Sequence, residues 1–303
     1  MIALIIATIA VASFSLLLRL FQQFGVDSFK AILINYAVAF VWGYFLSMHS
    51  GFVNPFHEKW FWMTLVLGLI FIRGMVLLDF STKKIGVAIS TVCSRASMVL
   101  TIIFCYLAIP GSERPRWLAI ILALLALVLI ICTDMRSVVH GSGKKWHVVV
   151  LAFVVFLIFG ASNSLLKWIQ YVIDRTYGTQ GEDIVNQMNA SAMSVVFITA
   201  FLIGIAVEIF KSFRSGGDKT DRKPLTWREF LGGLVLGSAN FFGTYLLVVA
   251  MKDIDSSVLF PIHNAGIVAL GAIVAWIAFG EKLSKTQIFG IIVSIVAIAW
   301  LCV

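Results

Sequence analysis

Apolar residues run along this chain in stretches of about twenty, the length at which a helix crosses the ~30 Å hydrocarbon layer of a bilayer. The stretches fall at 2–24, 29–48, 60–81, 86–109, 116–133, 146–169, 188–210, 228–250, 256–279 and 286–303, with short polar breaks between them. They predict an all-α integral membrane protein of ten transmembrane helices. The first stretch starts at Met1 with no basic run before it and continues beyond the apolar core of a signal peptide, so it is expected to be retained. The longest polar break, 211–227, is too short to fold alone. The segment "RSVVHGSGKKWH" (136–147) reads as a flexible link. The expected organisation is therefore a first bundle over 1–135, a linker over 136–145 and a second bundle over 146–303.

Composition agrees with a bilayer setting. Of 303 residues, 60 % are hydrophobic and 13 % charged, and the mean hydropathy is +1.00, well above that of soluble domains. A net charge of +8 would suggest nucleic acid as the partner of a soluble protein. Here the charges sort by connection instead, and no nucleic-acid partner is expected. Fourteen Lys and Arg lie in the odd-numbered connections and five in the even-numbered ones. The excess marks the cytoplasmic face and puts both termini outside. The remaining four cations, Arg19, Arg73, Arg95 and Lys167, fall inside apolar stretches. Cys93, Cys105, Cys132 and Cys302 have no spacing suited to a metal or a redox pair and read as packing residues, so neither metal nor cofactor is expected.

The chain repeats itself. With residue n set beside n+169, the stretch 67–111 aligns without a gap to 236–280: Leu67-Gly68 with Leu236-Gly237, Gly74 with Gly243, Leu77-Leu78 with Leu246-Leu247, Ile85 with Ile254, Ala96 with Ala265 and Gly111 with Gly280. A second match sets "ASFSLL" (12–17) beside "ASNSLL" (161–166). Five helices per half is an odd number, which forces the halves into opposite orientations. Two inverted five-helix repeats with a cavity at their mutual interface is the arrangement of many secondary transporters.

The hairpins "LGLIFIRGMVLLDFSTKKIGVAIS" and "LGSANFFGTYLLVVAMKDIDSSVLF", followed by "GSERPRW" and "GEKLSKTQIFGIIVSIVAIAWL", resemble the drug/metabolite transporter superfamily in its ten-helix EamA-like branch. The resemblance covers almost the whole chain. It implies export or exchange of a small polar metabolite by alternating access, with helices 1, 3, 4, 6, 8 and 9 lining the pathway. It also implies termini in the cytoplasm, opposite to the loop-charge count.

Depth singles out the chemistry. Arg73 and Arg95 each lie eleven residues from a turn near residue 84, roughly 16 Å from that end at 1.5 Å per residue. An ionised side chain there costs ~2.5–3.5 kcal/mol on the insertion scale, so both are expected to face the bundle interior. Thr91, Ser94, Arg95 and Met98 recur at helical spacing on one face. The duplicate of Arg95 is Asn264 and that of Arg73 is Phe242. Helix 8 offers Asn240 and Thr244; helix 9 offers Pro261, His263 and Asn264. Helices 1 and 6 add Ser15 and Arg19, and Asn163 and Lys167, each pair one turn apart.

These twelve, Arg73, Arg95, Ser94, Thr91, Asn240, Thr244, His263, Asn264, Ser15, Arg19, Asn163 and Lys167, are the expected substrate-binding set. Up to four cations without a midplane carboxylate favour an anionic or zwitterionic substrate, such as an amino or organic acid, held through a carboxylate or phosphate. His263 is also a candidate carrier of a coupling proton. Structural pairing of the arginines, snorkelling of Arg19 and Lys167, and a histidine bonded only to a neighbouring helix remain the alternatives. A flippase for a phosphate-bearing lipid carrier is the competing function. A membrane enzyme needs a clustered His/Asp/Glu set or an activated nucleophile, and the sequence offers none. The expected setting is the plasma or inner membrane, with a small-molecule substrate and the bilayer as partners and a monomer sufficient.

Overall fold

The computed structural model describes the chain except for residues 49–53, 86, 113, 119, 123, 126, 127, 130–144, 215–225, 280–284 and 303. Ten helices with defined bounds follow along the described residues: α1 (Ile2–Gln23), α2 (Ser28–Ser47), α3 (Phe61–Ile85), α4 (Val87–Ala96), α5 (Met98–Ala108), α6 (Lys145–Tyr177), α7 (Glu182–Arg214), α8 (Trp227–Asp253), α9 (Ser256–Phe279) and α10 (Lys285–Cys302). Seven spans among them are long and apolar enough to cross a membrane. Helix is the expected answer to an apolar solvent, because it satisfies every backbone N–H and C=O within the segment. The predicted fifth span, 116–133, is described only in part, and most of the predicted linker lies outside the described residues.

Two sequence expectations gain detail. The fourth span predicted at 86–109 is present as one membrane-length stretch, Ser90–Ala108, and its helix is interrupted at Ser97 between α4 and α5. There Leu100 N donates to Ser97 O at 3.0 Å, tightening the turn, and the Ser97 hydroxyl donates to Ser94 O at 2.6 Å. A hydroxyl that bonds the preceding turn competes with the backbone ladder at that point. The helices α6 and α7, at 33 residues each, also outrun the apolar stretches 146–169 and 188–210. Hydropathy locates the hydrocarbon-spanning part of a helix and not its polar ends.

The ends are set by local chemistry. Asp27 caps α2 by accepting from Phe29 N at 3.0 Å and Lys30 N at 3.4 Å. Thr226 and Glu229 form a capping box at the start of α8. Gly25, at φ +65°, turns the chain from α1 into α2, where a side chain would be strained.

Packing is chiefly between the two halves of the chain and not between sequence neighbours. Helices α1 and α2 lie on α8, α2 and α3 on α7, α3, α4 and α5 on α6, and α1 on α9. Small residues permit the closest of these approaches. A Cβ on Gly237 of α8 would stand 2.6 Å from the Asn35 carbonyl oxygen of α2, and one on Gly68 of α3 would stand 2.7 Å from the Val196 carbonyl oxygen of α7. Tyr36, Phe197 and Phe241 join α2, α7 and α8 through ring contacts at 6.3 and 6.2 Å. The outside is apolar, with Phe45, Trp62, Leu107, Phe153 and Phe210 all exposed, as a lipid-facing surface must be.

Candidate functional site

A cavity of about 230 Å³ lies between the halves. It is walled by Val11 of α1, Tyr36 of α2, Ile70, Phe71, Gly74, Met75 and Leu78 of α3, and Ser94 and Arg95 of α4. Opposite them stand Ile158, Phe159, Ser162, Asn163 and Leu166 of α6, Asn240, Thr244 and Leu247 of α8, and Phe260, His263 and Asn264 of α9. A second cavity, of about 350 Å³, lies among α2, α3 and α7 and holds no charged side chain. Convergent polar groups distinguish a binding site better than volume does, and these are in the first cavity.

Arg95 dominates its polar side. The guanidinium Nε is buried without a hydrogen-bond partner. The terminal nitrogens bond to no described residue and keep accessible surface, and no described carboxylate pairs with the group. The cation thus has no counterion among the described residues, which speaks against the structural-pair alternative. Ser94 beside it is buried and donates to Thr91 O at 3.0 Å. Asn264 Nδ2 donates to Phe260 O at 3.0 Å, and Asn240 Nδ2 donates to Asn35 Oδ1 at 3.0 Å, so in each the side-chain amide is fixed from behind. His263 sits against Thr8 of α1, with Nδ1 3.1 Å from Oγ1. Pro261 lies inside α9 between the lining residues Phe260 and His263.

Seven of the twelve expected residues line this cavity: Arg95, Ser94, Asn240, Thr244, His263, Asn264 and Asn163. Arg73 does not. It is exposed, on the outer row of α3 with Trp62, Val66, Leu69, Val76 and Phe80, whereas the wall of the cavity is made by residues 70, 71, 74, 75 and 78. At 100° per residue the two rows lie on opposite sides of the helix. The expectation that both arginines face inward therefore holds for Arg95 alone, since depth does not choose a face. Thr91 lies one turn below Ser94 and outside the lining set.

Lys167 is also elsewhere. Its amine donates to Gln170 Oε1 at 2.9 Å and to the Met251 carbonyl, tying α6 to the last turn of α8. The side chains of Ser15 and Arg19 lie outside the described part of the structure. Among the described residues no group of His, Cys, Asp and Glu is clustered to hold a metal ion, and Cys93 and Cys105 are free thiols.

Sequence reasoning overlooked the aromatic and aliphatic wall, Tyr36, Phe71, Met75, Leu78 and Phe260, because such residues in a membrane helix read equally as core or lipid surface. The offset of 169 carried a signal for three of them. Phe71 and Asn240, Met75 and Thr244, Leu78 and Leu247, Ser94 and His263, and Arg95 and Asn264 are duplicates, and all ten residues line the one cavity. Phe242, the duplicate of Arg73, lies outside it and packs on Trp42 in a tilted ring contact with centroids 5.1 Å apart.

Comparison with known proteins bears on the fold and the family. A protein of Haemophilus influenzae (strain Rd), described as an uncharacterized protein, is 23 % identical over 97 % of this chain and 95 % of its own length. A crystal structure with 15 % sequence identity superposes with a TM-score of 0.70, covering 99 % of this chain and 98 % of the other, and shares the fold. Residues 176–303 match the model of the EamA-like transporter family. The resemblance read from the hairpins is borne out over this region, and the chain is a multi-pass membrane protein whose residues 176–303 are similar to the EamA-like transporter family.

Proposed function

We propose that the protein is a secondary transporter of the plasma or inner membrane, moving a small anionic or zwitterionic metabolite, such as an amino or organic acid, by alternating access. Export or exchange is the direction implied by the family resemblance. The observation that carries the reading is the Arg95 guanidinium, without a counterion among the described residues and opening into a cavity between the halves. A buried donor without a partner costs ~1–3 kcal/mol, and a carboxylate arriving in bidentate geometry removes that cost. The inverted-repeat topology belongs to the same proposal. It is supported by the pairing of the helices: if the third, fourth and fifth predicted spans are exchanged with the eighth, ninth and tenth, and the first and second with the sixth and seventh, the contact of α1 with α8 becomes that of α6 with α3. Likewise α2 with α8 becomes α7 with α3, and α1 with α9 becomes α6 with α4 and α5. All of these contacts are present.

The test is uptake of labelled amino and organic acids into proteoliposomes, preceded by a thermal-shift screen, since a ligand of the folded state alone raises its stability. Arg95→Gln keeps hydrogen-bonding capacity and removes the charge. A hydrogen bond to a charged group contributes about 1.5–3 kcal/mol, so carboxylate affinity is expected to fall about tenfold or more. Unchanged affinity for every anionic substrate would refute the assignment, and movement of labelled lipid in place of soluble acid would favour the flippase.

A further inference from the structure

Hydrogen-bond bookkeeping around His263 defines what the site demands of its substrate. Thr8 has one hydroxyl hydrogen and two neighbours: the Leu4 carbonyl oxygen at 2.7 Å and His263 Nδ1 at 3.1 Å. The Leu4 carbonyl can only accept, and it is the shorter contact, the back-bond that helical threonine ordinarily makes to residue i−4. The Thr8 hydrogen is therefore committed, and the bond to the imidazole runs the other way, with Nδ1–H donating to the Thr8 oxygen. In the neutral ring this leaves Nε2 as an acceptor without a hydrogen. Nε2 has no partner among the described residues and is not among the buried unsatisfied atoms, so it keeps open surface. His263 is a lining residue, buried apart from that edge.

Resting on the anion-carrier reading above, we infer that Thr8 is a specificity-determining positioning residue: by fixing the His263 tautomer it makes the site select carboxylates that also carry an O–H or N–H donor near the acid group. The carboxylate lies on Arg95, which offers only donors, and the substrate's own donor is received by His263 Nε2. A plain carboxylate leaves Nε2 desolvated and unmatched. Sites built to pair a substrate hydroxyl or amine reject the analogue lacking it more strongly than apolar pockets reject a missing methylene. The rest of the wall, including Tyr36, Phe71, Met75 and Phe260, suits an apolar body of modest size.

A matched series tests this: leucine, 2-hydroxy-4-methylpentanoate and 4-methylpentanoate, which share a carbon skeleton and differ at one position. Binding is measured on the purified full-length protein in nanodiscs. At least one donor-bearing acid is expected to bind tenfold or more tightly than 4-methylpentanoate. Thr8→Val frees the ring to rotate its proton to Nε2, where it donates to any carboxylate, and the preference is expected to fall below threefold. Thr8→Ser keeps the hydroxyl and is expected to keep the preference. Arg95→Gln weakens whichever acids bind without changing their ratio.

Histidine ¹⁵N spectra of the wild type, assigned by the signal lost in His263→Gln, give a readout independent of how well Thr8→Val folds. A protonated Nδ1 beside an unprotonated Nε2 is expected. Equal binding of all three acids, an undiminished preference in folded Thr8→Val, or an Nε2–H tautomer would each overturn the inference while leaving Arg95 as an anion site. Failure of every carboxylate to bind would instead refute the anion reading beneath it.

Discussion

Two arginines lie on adjoining helices at similar depth, and direction alone separates their chemistry. Arg95 opens into the cavity, while Arg73 stands on an outer row between Leu69 and Val76. An arginine facing lipid near the middle of a span costs ~2.5–3.5 kcal/mol even on the lenient scale. Replacing Arg73 with Leu is accordingly expected to raise the melting temperature of the reconstituted protein and to leave the uptake of acids unchanged. A loss of uptake in Arg73→Leu with the fold intact would return Arg73 to the pathway. Arg73 also shows how far residue-level reading reached. Its depth followed from counting residues to the nearest turn, but its face needed the positions of α6 and α7, which the chain does not announce.

At the scale of the helix, small residues and one lysine hold the bundle. Gly68 and Gly237 are duplicates, each bringing its helix against the backbone of a partner, α7 for one and α2 for the other. A methyl group added at 2.6–2.7 Å from a carbonyl oxygen cannot be absorbed by a side-chain rotation, and overpacking of this kind costs about 1–3 kcal/mol. Gly237→Ala and Gly68→Ala are each expected to lower the melting temperature by several degrees. Gly271→Ala, where nothing lies within 4 Å, serves as the comparison and is expected to be neutral or slightly stabilising.

Lys167 makes a different kind of tie. Its bond to the Met251 carbonyl satisfies one of the acceptors that the end of α8 leaves open. Lys167→Met removes the donor and strands that carbonyl, so thermal unfolding is expected to show a loss of about 1–3 kcal/mol. The lysine was legible as a membrane cation and illegible as a strut, because its acceptor lies 84 residues away on another helix.

For the whole molecule, the arrangement that matters is a cavity whose walls come from both halves. Such a site is bound to the relative position of the halves, and a substrate crossing with it is expected to exchange. Proteoliposomes preloaded with an unlabelled acid that binds should therefore take up the labelled form faster than empty ones, and uptake should saturate. Uptake that rises linearly with concentration and ignores the preload would point to a channel. Equivalent positions of the repeat line the cavity with unlike side chains: Phe71 and Met75 in the first half correspond to Asn240 and Thr244 in the second, while Leu78 and Leu247 are the same. Duplication set the framework, and divergence at single positions within it placed the polar groups.

Hydropathy along the chain was enough to establish a multi-pass helical membrane protein, because each residue's transfer cost from water to lipid is a local property that adds along a segment. The repeat was legible for the same reason, being a comparison of the chain with itself, and it placed the equivalent residues that later proved to share a cavity. The face each span presents and the tautomer of His263 were decided by the tertiary structure. The bond that orients that histidine joins residues 255 positions apart, and no pattern along the chain encodes which two side chains will meet when helices from opposite halves pack together.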